Sequence, residues 1–276
     1  ESELAGVLAH EIGHIVQRHF ARMLVAQKES QAISLAALAV GILASRVNSE
    51  LAQAAIVGSQ AGFVQSTLNF TRSNEQEADR VGFQILEKAS FDAQGMTAFF
   101  ERMLRATRFY ETAAPTYLRT HPLTTDRISD MQNRVQNLRY RQVPDSIEFQ
   151  FMRAKIRAAQ DAPQESVAFF EESLKERKYL SEAASRYGLV TALLRTRAHA
   201  RAIEETQVLR KAVRASPIVD VLAARAYRAA GDTGAALQIY REALRNYPGY
   251  RALIYDYADA LLRNRQPEEA LRLVES

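Results

Sequence analysis

Two imidazoles four residues apart, with a carboxylate beside the first, are the groups in this chain best equipped for chemistry: His10-Glu11-Ile12-Gly13-His14. The pattern is H-E-x-x-H. On a helix its two histidines lie on one face, a turn apart. Neutral imidazoles so placed can hold one Zn²⁺. Glu11 does not easily reach the same metal, but it can take a proton from a water beside it. From Glu1 to Ala26 there is no Pro, and Leu4, Val7, Leu8, Ile12 and Ile15 recur at three- and four-residue steps. That spacing predicts a helix with one buried apolar face and the motif along its edge.

A zinc site needs a third protein ligand. One zincin class places a His six residues past the second motif His, with a Gly between. Those positions hold Gln17 and Phe20, which excludes that class. His19 lies five residues past His14, about 140° round a continuous helix. It cannot share the metal there, and we read it as a solvated helix residue. Another class takes its third ligand from a Glu on a later helix. The stretch Thr71-Arg72-Ser73-Asn74-Glu75-Gln76-Glu77-Ala78-Asp79 reads as a helix start, with Ser73 and Gln76 in capping-box spacing. Glu75 and Asp79, four apart, share a face. Glu75 can ligate the metal while Asp79 accepts a hydrogen bond from the outer nitrogen of a liganding His. Glu77 points elsewhere.

His-Glu-Ile-Gly-His, followed some sixty residues later by Asn74-Glu75-Gln76-Glu77-Ala78-Asp79-Arg80, resembles the HtpX-like and CAAX-protease-like gluzincin metallopeptidases. The resemblance spans about residues 1 to 140 and implies Glu75 as the third zinc ligand. Its third element is a His-Pro with an Arg six residues after the His, here His121-Pro122-Leu123-Thr124-Thr125-Asp126-Arg127. Pro122 biases His121 towards extended backbone, which suits a loop presenting a side chain to a cleft. His121 and Arg127 can then steady the oxyanion of a tetrahedral intermediate. Alternatively, His121 fills the metal's open position and holds the site shut.

The 276 residues suffice for two domains. Zero Cys excludes disulfides, Cys zinc sites and thiol nucleophiles, and says little about compartment. The net charge of +4 is spread as mixed-sign helix faces, which argues against a nucleic-acid groove. The chain opens inside a helical pattern, so it reads as a fragment or processed product, with the strands this family places before the motif helix expected outside it. Two apolar, Ala-rich stretches, 32–44 and 51–64, are short of the ~20 residues needed to span a bilayer. We read them as core or lid helices, with membrane-surface contact through 32–64 as the alternative.

After Pro144 the pattern changes to a repeat. Ala158, Ala192, Ala226 and Ala260 are 34 apart, as are Ala168, Ala202, Ala236 and Ala270. Small residues at fixed phases of a 34-residue period are the tetratricopeptide signature. Gly231-Asp232 marks a turn inside one repeat, and Pro248 ends its second helix. The expected architecture is mainly α: a gluzincin metallopeptidase domain over 1–143, then an α-solenoid of about four helix pairs over 144–276, truncated at its end. This domain order resembles periplasmic bacterial proteases that attend outer-membrane β-barrel assembly. The resemblance implies a zinc endopeptidase with one Zn²⁺ per chain and misfolded or stalled outer-membrane proteins as substrates. Its repeats would dock on the β-barrel assembly machinery. The competing expectation is a chaperone or adaptor whose zinc site is closed or vestigial.

Overall fold

A computed structural model describes residues 1–44, 49–107, 116–138 and 142–275. Every regular element among them is an α-helix, as the mainly α expectation requires. The chain divides into two compact units, Glu1–Pro144 and Asp145–Ser276.

In the first unit, α1 (Ser2–Val16) lies against α3 (Ser49–Lys88) and α4 (Gln94–Thr107). The apolar stripe expected to be its buried face is exposed instead: Leu4, Leu8, Ile12 and Ile15 all face outward. Gly6, Ala9, His10 and Gly13 face in. The reason is the closeness of α3. A Cβ added at Gly13 would sit 2.8 Å from the Ala78 carbonyl oxygen, and one added at Gly82 would sit 2.9 Å from the His10 Cα. Backbones this near leave no room for branched side chains, so the small residues and the histidine form the contact. A core of Phe83, Leu86, Met96, Phe100, Ile128 and Met131 joins α3, α4 and α6 (Thr125–Gln136).

The first helix does not run on to Ala26. Arg18 takes a left-handed backbone with φ of 55°, and α2 (His19–Ala44) starts afresh after it. The second expected helix start is also absent. Ser73 and Gln76 are interior residues of α3, which is 40 residues long, so they form no capping box. α2 pairs chiefly with α3 in a long hairpin. With so few neighbours, the described side chains of 32–64 are mostly not core, Ile33, Leu35, Val40, Ile42, Leu43 and Val57 being exposed; residues 45–48 of that stretch lie outside the described residues. No described helix is long and apolar enough to cross a membrane.

The second unit pairs α7 (Ile147–Gln160) with α8 (Pro163–Glu176), α9 (Glu182–Arg195) with α10 (His199–Ala212), α11 (Pro217–Ala229) with α12 (Thr233–Asn246) and α13 (Arg251–Arg263) with α14 (Pro267–Glu275). Ala158, Ala192, Ala226 and Ala260 are buried, as are Ala202, Ala236 and Ala270. Ala168 breaks the second ladder and is exposed. α9 and the loop before it are each one residue longer than α11 and its loop. The register therefore slips by two, and Ser166 takes the buried position, donating to the Ala158 carbonyl at 3.1 Å. Gly231 has φ of 88°, and Asp232 caps α12 by accepting the Ala235 N–H at 3.0 Å. Tyr240 and Tyr257 stack within the last two pairs, ring centroids 5.3 Å apart.

Candidate metal centre

The α1–α3 contact turns His10 and His14 of α1 towards Glu75 of α3, and His121 joins them from the loop before α6. His10 Nε2 is 3.0 Å from His14 Nε2, 3.5 Å from Glu75 Oε2 and 3.4 Å from His121 Nδ1. His14 Nε2 is 3.3 Å from Glu75 Oε1, and His121 Nδ1 is 3.1 Å from the same oxygen. A tetrahedral zinc with bonds of about 2.0–2.1 Å holds its ligand atoms about 3.3 Å apart. The observed separations bracket that value, and the set of imidazole nitrogens and one carboxylate is the borderline-soft mixture that zinc takes. The residues present fit the group.

Behind the donors lies a buried charge network. Arg127 of α6 donates Nε to Asp79 Oδ2 at 2.6 Å and Nη2 to Asp79 Oδ1 at 2.8 Å, while Nη1 reaches Glu75 Oε2 at 2.9 Å and the Pro122 carbonyl at 2.7 Å. His10 Nδ1 lies 2.9 Å from Asp79 Oδ1. That imidazole nitrogen is close to the oxygen without forming a hydrogen bond of good geometry. Burial works against ionising His10, but contacts with Asp79 and Glu75 outweigh it and push its pKa up to about 9. Burial likewise opposes the Glu75 carboxylate. The hydrogen bonds from His10, His121 and His14 and the Arg127 charge prevail and hold it well below the usual carboxylate range.

Arg127, expected from the sequence beside the oxyanion, has its guanidinium engaged with two carboxylates. Its side chain is 3% exposed, and its donors are taken by Asp79, Glu75 and Pro122. It positions the carboxylates and pins the His121-Pro122 turn. His121 stacks on Tyr117 of α5 (Thr116–Thr120), centroids 4.7 Å apart, and its Nε2 is 3.6 Å from Glu11 Oε1. Glu11 is 41% exposed and stands on the open side of the cluster. Burial pushes the Tyr117 hydroxyl well above its usual range, with the Glu11 charge adding to it.

Sequence reasoning misplaced His19. It is 4% exposed, not solvated, with Nδ1 2.8 Å from His14 Nδ1 and Nε2 3.1 Å from Glu77 Oε2. The angular argument assumed a continuous helix, and the break at Arg18 invalidates it. No Gly or Pro announced that break. Tyr117 was missed too, since its role depends on a stacking contact with no signal along the chain.

A model of peptidase family M48 matches residues 1–135, and a tetratricopeptide repeat model matches 227–276. The Beta-barrel assembly-enhancing protease of Escherichia coli is 39% identical to this chain over 155 residues, 56% of this chain and 32% of that protein. The Putative beta-barrel assembly-enhancing protease of Vibrio cholerae is 42% identical over 156 residues, with coverage of 56% and 32%. The Beta-barrel assembly-enhancing protease of Yersinia pestis is 34% identical over 194 residues, 70% of this chain and 40% of that protein. The matched stretches thus span about a third to two fifths of these curated relatives.

Proposed function

Residues 1–135 form a domain of peptidase family M48 with tetratricopeptide repeats after it, and from that premise we propose that the chain is a zinc-dependent endopeptidase. The observation that carries this reading is the convergence of His10, His14, Glu75 and His121 at zinc-ligand separations, with the Glu11 carboxylate alongside. His10, His14 and Glu75 hold the metal. When bound, zinc supplies Lewis-acid polarisation of a carbonyl and lowers the pKa of water. Glu11 serves as general base, taking the proton of the attacking water and passing it to the leaving amine. Asp79 and Arg127 keep Glu75 and His10 in place, so the ligands are preorganised.

The names of the relatives support a protease role in β-barrel assembly, and we place that role in the quality control and assembly of outer-membrane proteins in the bacterial periplasm. Stalled or misfolded barrel proteins are then the substrates. The repeats dock substrate or the assembly machinery along their concave face. The exposed apolar side chains of the α2–α3 hairpin support contact with a membrane surface through 32–64.

The test is metal analysis of the purified protein alongside cleavage of an unfolded barrel protein. Wild type is expected to carry one zinc and to cut. Glu11→Gln is expected to keep the zinc and lose cleavage by roughly 10²–10⁴-fold. Full cleavage by Glu11→Gln would refute the assignment.

A second reading rests on His121. Its Nδ1 already completes the donor set, and stacking on Tyr117 steadies it there. A site so closed leaves the repeats to act as a chaperone or adaptor until His121 withdraws. His121→Ala then raises proteolysis, and unchanged or lower activity in that variant excludes the closed site.

A further inference from the structure

Neutral imidazole has one N–H and one lone pair, so the role of one nitrogen fixes that of the other. His14 turns Nε2 towards Glu75 and His10. As a ligand through Nε2, it must carry its hydrogen on Nδ1. That atom lies 2.8 Å from Nδ1 of His19, so the His19 nitrogen must be the acceptor. A neutral His19 then carries its own hydrogen on Nε2, which lies 3.1 Å from Glu77 Oε2. The same oxygen accepts from Arg22 Nη1 at 2.7 Å. One choice at His14 settles every donor and acceptor out to the surface.

We propose that His19 is a positioning residue of the metal centre, holding His14 as its Nε2-ligating tautomer by accepting the His14 Nδ1–H. This rests on the zinc site proposed above. His10 and His14 each gain a similar backing. Behind His10 stand Asp79 and Arg127; behind His14 stand His19, Glu77 and Arg22. Both carboxylates come from α3, two residues apart and on different faces. The second arm is longer because Glu77 does not reach His14, and the imidazole of His19 spans the gap.

The backbone is shaped to deliver that imidazole. A continuous helix would carry residue 19 about 140° round from residue 14. The left-handed Arg18, a conformation rare for a residue with a side chain, turns the chain so that the first residue of α2 faces His14 edge-on, ring centroids 4.8 Å apart at 81°. Here the adjoining side chain is a buried histidine with both nitrogens engaged.

Substitutions that move only the acceptor test the proposal. Asn at position 19 presents its carbonyl oxygen near the place of Nδ1, and Gln presents its own near the place of Nε2. Leu fills the volume with no acceptor. Zinc affinity of the full chain is read by competition with a chromophoric chelator. The His14 Nδ1–H is read by ¹H–¹⁵N correlation of the zinc-loaded imidazoles. His19→Leu and His19→Gln are expected to bind zinc about 10–100-fold more weakly, the usual cost of losing such a partner, and to lose the protected Nδ1–H signal. His19→Asn is expected to stay within a few-fold of wild type and keep the signal. Equal affinity in all three variants, or equal loss in Asn and Gln, overturns the proposal, since a role in packing alone does not distinguish acceptor position. Wild type that binds no zinc sinks the metal centre itself and His19's role with it. Wild type that binds, beside an unaltered His19→Gln, sinks His19's role alone.

Discussion

Replacing Gly13 by Ala tests whether the approach of α1 to α3 sets the ligand geometry. The added Cβ would stand 2.8 Å from the Ala78 carbonyl oxygen and 3.1 Å from the Ala78 Cα, where ordinary contact begins at 3.4 Å. Both clashes are with backbone, so no side chain can swing away. Clearing the first requires about 0.6 Å of separation between the helices, against a tolerance of about 0.2 Å in metal–ligand distances. Ala78 adjoins Asp79 and is one helical turn from Glu75, so this displacement falls on the ligand that α3 supplies. Two effects on stability oppose each other. Ala in a helix interior gains about 1 kcal/mol over Gly, while overpacking costs about 1–3 kcal/mol, leaving a net change between neutral and about 2 kcal/mol destabilising. The metal site has no such compensation. Zinc affinity should fall at least tenfold, measured by chelator competition, and cleavage should fall with it. Gly62→Ala is the control, since a Cβ there meets nothing within 4 Å; it should leave zinc binding unchanged. Gly13→Ala with wild-type zinc affinity would refute the argument.

Other consequences are equally direct. Asp79→Asn leaves the buried Arg127 guanidinium without its bidentate partner, so urea denaturation of the full chain should show a loss near the lower end of the roughly 3–5 kcal/mol range, because Glu75 still pairs with it. Tyr240→Phe removes the hydroxyl that donates to Asp256, a carboxylate that keeps Arg225, and should cost about 1.5 kcal/mol in the same assay. Chelation of zinc should lower the protection from hydrogen exchange of α1 and α3 and leave α9 to α13 unaffected, because the second unit has its own core.

Features with a short sequence period were legible. The Ala repeat foretold paired helices, and four-residue spacing put His10 with His14 and Glu75 with Asp79, each pair on one face of its own helix. Features decided by approach between elements were not. The aliphatic stripe of α1 suggested burial, yet Gly6, Ala9 and Gly13 brought α3 so near that the small residues won the contact. A capping-box pattern at Ser73 lost to the continuity of a 40-residue helix held by its hairpin partner. His19 was misplaced by a helix break at an Arg, a residue with no turn preference. Arg127 was assigned to the reacting oxygen through the His-Pro…Arg element of the family resemblance, and its burial against Glu75 and Asp79 has no signal in that spacing. Ala168 lost its place in the ladder to Ser166 through two extra residues that an exact period of 34 conceals.

X-ray absorption at the zinc edge of the purified protein tests the central claim most directly. The account predicts one zinc per chain with a first shell of nitrogen and oxygen at about 2.0–2.1 Å. Imidazole scattering should come from His10 and His14 at least, and one carboxylate oxygen should disappear in Glu75→Ala. A protein that binds no zinc, or a first shell unchanged by Glu75→Ala, would contradict it.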